Sequence, residues 1–120
     1  MRTDLTMLMD LYEMTMSNGI WQSDMRDKIT YFDMFFRRVP DKGGYAIMAG
    51  LEQLIEYFNN LHFDESDIKY LRSLNLFCDE FLDYLADFEF ECDVWAVPEG
   101  TPIFPMEPIV TVRGPAIQAV

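Results

Sequence analysis

Apolar residues along this chain recur every three or four positions in some stretches and every second position in others. From Met7 to Trp21 the residues Leu8, Leu11, Tyr12 and Thr15 keep helical spacing. That spacing predicts a helix with this face buried and with Gly19 placed to end it. Ile29 to Arg37 is dense in β-branched and aromatic residues and predicts a strand. Pro40-Asp41-Lys42-Gly43-Gly44 predicts a turn, since glycine supplies positive φ and proline cannot donate to a ladder. Tyr45 to Ala49 predicts a second short strand running into Gly50.

The middle of the chain returns to helical spacing. Leu51, Leu54, Ile55, Phe58 and Leu61 mark one helix face. Asp64 is placed to start the next helix, with Asp67 three positions on as a capping partner, and Ile68, Leu71 and Leu74 line its buried side. Asp79 starts a third helix, with Phe81, Leu82, Leu85 and Phe88 turned inward. From Phe90 to Val112 the period becomes two. Val94, Ala96, Ile103, Ile109, Thr111 and Val112 predict strands, with turns at Pro98-Glu99-Gly100 and Pro105-Met106-Glu107-Pro108. Gly114 to Val120 reads as the opening of another apolar element, which suggests a natural protein that continues. The length fits one domain spanning residues 1–120, read as a helix, two strands, three helices and a closing run of strands.

Composition narrows the function. The chain has 120 residues, 50% hydrophobic and 15% aromatic, enough for a packed core and too apolar for disorder. Its 21 acidic residues outnumber 9 basic ones, for a net charge of −12. That balance argues against a nucleic-acid interface or an anionic membrane surface. No apolar run is long enough to span a bilayer, and Met1-Arg2-Thr3-Asp4 shows no signal-peptide pattern. Cys78 and Cys92 are too few for a disulfide scaffold and fit free thiols in the cytoplasm.

Spacing alone reveals little chemistry. His62 sits between two predicted helices without a partner in sequence. Asp64, Glu65 and Asp67 fit helix capping better than a cation loop. Gly43-Gly44 is neither a Walker loop nor a dinucleotide fingerprint. Trp21 and Trp95 read as core or interface anchors. Arg37 and Arg38 are the only adjacent basic pair, placed after an aromatic strand where a guanidinium can bind phosphate or carboxylate. Tyr12 falls on the predicted buried face of the first helix.

Taken in order, several segments resemble the nicotinate phosphoribosyltransferase family. They are Thr6-Met7-Leu8-Met9-Asp10-Leu11-Tyr12-Glu13-Met14-Thr15-Met16, the strand ending Phe35-Phe36-Arg37, and Gly43-Gly44-Tyr45-Ala46-Ile47-Met48-Ala49-Gly50-Leu51-Glu52. Tyr70-Leu71-Arg72-Ser73-Leu74, Phe81-Leu82-Asp83-Tyr84-Leu85 and Val97-Pro98-Glu99-Gly100 follow. The resemblance implies an α+β fold, an antiparallel sheet with helices, as in the N-terminal domain of a type II phosphoribosyltransferase, without the barrel domain. It implies an enzyme joining nicotinate to phosphoribosyl pyrophosphate, giving nicotinate mononucleotide and pyrophosphate with ATP hydrolysis, in pyridine-nucleotide salvage.

By the same resemblance, Tyr12 stacks on the pyridine ring and Arg37 holds phosphate groups across a homodimer interface, with Arg38 as a second candidate. No catalytic or metal-binding residue is carried over. His62 does not match the family's phosphohistidine, which belongs to the barrel. Mg2+ and ATP are expected in the full-length enzyme and not on this fragment, which is expected to be inactive alone. The alternatives are a relative that uses nicotinamide or quinolinate, or a free-standing interaction domain.

Overall fold

The computed structural model describes residues 4–120; the N-terminal residues read above for a leader lie largely outside them. Among the described residues five α-helices and five strands follow in the order α1 (Leu11–Gln22), β1 (Ile29–Met34), β2 (Ala46–Ile47), α2 (Leu51–Asn60), α3 (Glu65–Ser73), α4 (Asp79–Ala86), β3 (Asp93–Ala96), β4 (Pro102–Ile103), β5 (Val110–Pro115) and α5 (Ala116–Ala119). The class is α+β with antiparallel sheets. β5 is the centre of a three-stranded sheet, flanked by β1 and β3, while β2 and β4 form a separate pair. The register sets Tyr31 and Asp93 either side of Arg113, and Phe32 and Val94 either side of Val112.

Two apolar centres hold the chain together. The helical one joins Met14 of α1 to Phe63, Leu71, Phe81, Leu82, Leu85 and Ile117. Phe81 and Leu82 are almost fully enclosed, which fits the inward face read for this helix. The second lies under the sheet and gathers Met48, Ile103 and Val110, with Phe36, Leu51 and Leu54 packed against it. The closing apolar segment is the short helix α5, which puts Ala116 and Ile117 in the interior.

α1 differs most from the sequence reading. It begins at Leu11, because Asp10 and Glu13 form a capping box in which the Asp10 N–H donates to the Glu13 carboxylate at 3.3 Å. It passes through Gly19 and stops only at Gln22, where the Ser23 N–H closes the end on Ile20. Its buried face is also the opposite one. Met14 is 5% exposed, whereas Leu8, Leu11 and Tyr12 face out. At about 100° per residue, Tyr12 and Met14 point roughly opposite ways, so only one of them can enter the core. β1 is shorter than read: the ladder ends at Met34, and residues 35–39 form an irregular connection with a bend at Arg37. α2 has the expected amphipathic pattern, but it buries no residue completely and leaves Ile55 half exposed.

Candidate functional site

Tyr12 stands in the first turn of α1 with 64% of its surface exposed. It shares this outer face with Leu11 and Met16, and Leu8 in the preceding segment is 79% exposed. A phenol held on a helix in this way is fixed in direction yet open to a flat ring from outside.

Arg37 and Arg38 follow the end of β1, between two anchors. On one side Phe36 packs against the sheet core, and its carbonyl accepts the Met106 N–H at 2.8 Å. On the other, Pro40–Lys42 forms a 3₁₀ turn in which Asp41 and Lys42 both adopt left-handed backbone. Both arginines are exposed. Among the described residues neither guanidinium makes an ion pair, whereas Arg26, Arg72 and Arg113 each bind an aspartate. In a chain of net charge −12, two unpaired adjacent guanidinium groups are the natural place for phosphate oxygens.

Tyr12 and the arginines belong to different parts of the fold. α1 is seated on the helical core and Phe36 on the sheet core, and among the described residues no hydrogen bond joins them. Neither lines the cleft of about 260 Å³ bounded by Met9, Met14, Tyr57, Phe63, Phe88 and Val120. The candidate substrate residues are exposed and lie outside that cleft.

A third feature was not foreseen. The Glu99 carboxylate accepts the Gly50 N–H at 2.9 Å and the Leu51 N–H at 3.0 Å. Gly50 stands at the N-cap of α2 with φ of 97° and has no side chain to cap it, so Glu99 supplies both acceptors from 49 and 48 residues away. The Gly100 N–H then binds the Met48 carbonyl at 2.8 Å, and the Met48 N–H binds the Thr101 carbonyl at 2.9 Å. A strand end running into Gly50 and the turn at Pro98-Glu99-Gly100, read separately from the sequence, thus form one clamp. The available signal was a glycine before a helix with no capping side chain nearby.

Comparison with known proteins now decides the family. The model of the nicotinate phosphoribosyltransferase N-terminal domain matches residues 7–120. The chain belongs to the nicotinate phosphoribosyltransferase family. It is 46% identical over 110 residues to a nicotinate phosphoribosyltransferase of Mycobacterium tuberculosis, a match covering 92% of this chain and 24% of that protein. With the Bacillus subtilis nicotinate phosphoribosyltransferase it shares 36% identity over 115 residues, 96% of this chain and 24% of that one.

The crystal structure of human nicotinic acid phosphoribosyltransferase superposes with a TM-score of 0.81 at 31% identity, covering 92% of this chain and 23% of that chain. A putative nicotinate phosphoribosyltransferase from Saccharomyces cerevisiae, at 15% identity and TM-score 0.60, shares the fold. The chain thus spans about a quarter of the curated nicotinate phosphoribosyltransferases it matches and corresponds to their N-terminal domain.

Proposed function

We propose that this chain is the N-terminal part of an enzyme that joins nicotinate to phosphoribosyl pyrophosphate, forming nicotinate mononucleotide and pyrophosphate. The observation that carries this reading is the family match across residues 7–120. Tyr12 and Arg37 stand outward on rigid supports, which supports roles in contacting substrate at an interface with other elements. The reaction is displacement at the anomeric carbon of the ribose. Its transition state has oxocarbenium character, and its leaving group carries several negative charges. Positioning of the ring nitrogen and neutralisation of phosphate charge provide most of the catalysis in such a step. Tyr12 orients the pyridine ring by offset stacking, and Arg37, with Arg38 beside it, neutralises phosphate oxygens through its guanidinium fork.

The site is completed by a second subunit of a homodimer and by elements of the longer enzyme. Coupling to ATP hydrolysis and use of Mg2+ belong to that enzyme. The Arg37–Arg38 region suits anionic phosphate and offers no carboxylate cage for a magnesium ion. No helix among the described residues is long and apolar enough to cross a membrane, and we place the reaction in the cytoplasm.

The test is formation of nicotinate mononucleotide by the protein extended to its natural stop, with nicotinamide and quinolinate offered as competing substrates. Turnover of nicotinate supports the reading. Turnover of another pyridine alone, or none by a folded protein, contradicts it.

A further inference from the structure

Asp4, His62 and Asp64 meet at one point on the surface although 58 residues separate the first two, and none of them belongs to the site proposed above. Their candidate ligand atoms all lie within 4.8 Å of one another. Each side chain is already fixed by a bond made through a different atom. The Asp4 Oδ1 accepts the N–H of Thr6, a residue only 2% exposed. The Asp64 Oδ1 caps α3, accepting the Asp67 N–H at 2.9 Å and the Ser66 hydroxyl at 2.6 Å, which leaves its second oxygen available. The His62 Nδ1 lies 2.7 Å from the backbone carbonyl of Asn60.

This last contact is the decisive one. Nδ1 must carry a proton to bond a carbonyl, so in the neutral ring the lone pair is on Nε2, the nitrogen that stands 3.9 Å from the Asp4 Oδ2. An imidazole that donates one nitrogen to a backbone carbonyl while presenting the other is the usual posture of a metal ligand. The gap also fits. Nε2 lies 3.9 Å from the Asp4 Oδ2, too far for a hydrogen bond. Bond lengths near 2.0 Å around a tetrahedral zinc put neighbouring ligand atoms about 3.3 Å apart, within reach of small side-chain rotations.

We propose that Asp4, His62 and Asp64 bind a divalent transition-metal ion of the zinc type, with water completing the coordination. One imidazole with two carboxylates suits zinc, cobalt or nickel better than magnesium or calcium, which favour all-oxygen sites. Bound there, the ion clips the segment before α1 to the junction between α2 and α3. It stabilises the folded chain because the unfolded chain does not hold the three ligands together.

The experiment is calorimetric titration of the untagged chain with zinc alone, beside the variants Asp4→Asn, His62→Gln and Asp64→Asn. Asparagine is a good N-cap, so Asp64→Asn keeps the start of α3, and circular dichroism checks that each variant is folded. The expected result is one zinc per chain, affinity lower by about tenfold or more in each variant, and a zinc-dependent rise in Tm seen only in the parent. Cobalt(II) should give visible absorption bands that His62→Gln abolishes. Equal zinc affinity in the parent and all three variants would overturn the proposal, as it would place binding elsewhere, for instance at Cys78 or Cys92. A chain that responds to magnesium and not to zinc would also overturn it.

Discussion

Tyr84 illustrates how burial sets the chemistry of a single residue here. Its ring stacks on Trp21 at 4.7 Å and meets Phe88 edge-on. Its hydroxyl is enclosed without a hydrogen bond. Burial pushes the phenol up to about 12, against a smaller lowering by the neighbouring Gln118 side chain. The folded value lies above the ordinary 10.0, so the associated stability is complete below about pH 10 and is lost as pH rises towards 12. In an alkaline spectrophotometric titration, Tyr84 should be the last of the six tyrosines to ionise, and Tyr84→Phe should remove that late step. Tyr84→Phe should also leave Tm unchanged or higher, because it deletes a polar group that has no partner.

At the candidate site, Arg37→Ala in the longer enzyme should raise the KM for phosphoribosyl pyrophosphate by about tenfold or more, the effect of losing a charge-assisted bond. Tyr12→Ala should raise the KM for nicotinate by about two- to tenfold, the size of a stacking contribution. Unchanged steady-state kinetics in either variant would remove that residue from the site.

The elements differ in how clearly the sequence announced them. α3 and α4 were legible because each has one apolar stripe beside strongly polar positions; α3 adds the capping pair Asp64 and Asp67, and α4 carries Asp79 and Glu80 in its first turn. The face of α1 was not. Apolar residues surround it, with Leu11, Tyr12, Met14, Met16, Ile20 and Trp21 spread over all sides, so three-and-four spacing does not select the buried one. Its outer stripe is apolar too, and apolar surface on both sides of a helix marks one that contacts more than its own core. β1 misled differently. Phe35 and Phe36 continue the strand composition, but pairing with β5 ends at Met34.

Tyr12 became a candidate only through the family resemblance, whereas Arg37 and Arg38 already stood out as the one adjacent basic pair and took a specific role from the resemblance. The Glu99 clamp and the Asp4–His62–Asp64 cluster escaped notice because their partners are dozens of residues apart, and no local pattern records such a contact. The clamp carries its own prediction: Glu99→Ala should destabilise the chain by about 1 kcal/mol, the usual cost of losing an N-cap acceptor, as read by chemical denaturation. Gly114 is constrained by packing, since an added Cβ would collide with Cys92. Gly114→Ala should therefore cost about 1–3 kcal/mol in the same measurement.

The whole molecule exposes much apolar surface. Tyr31, Phe32, Met34 and Phe35 on and after β1, Trp95 on β3, and Leu8, Leu11 and Tyr12 around α1 are all open to solvent. Surface of this kind fits a domain normally covered by other parts of an assembly. The chain alone should therefore self-associate, held back in part by its net charge of −12. A clean monomer by light scattering at high concentration would contradict this. We propose that this fold serves as part of a working nicotinate phosphoribosyltransferase. Its most direct test is a product assay for nicotinate mononucleotide with nicotinate, phosphoribosyl pyrophosphate, Mg2+ and ATP, run on these 120 residues and on the same reading frame extended to its natural stop. Product is expected from the extended protein and none from the 120 residues alone. A folded extended protein that makes no product from nicotinate would contradict the proposal.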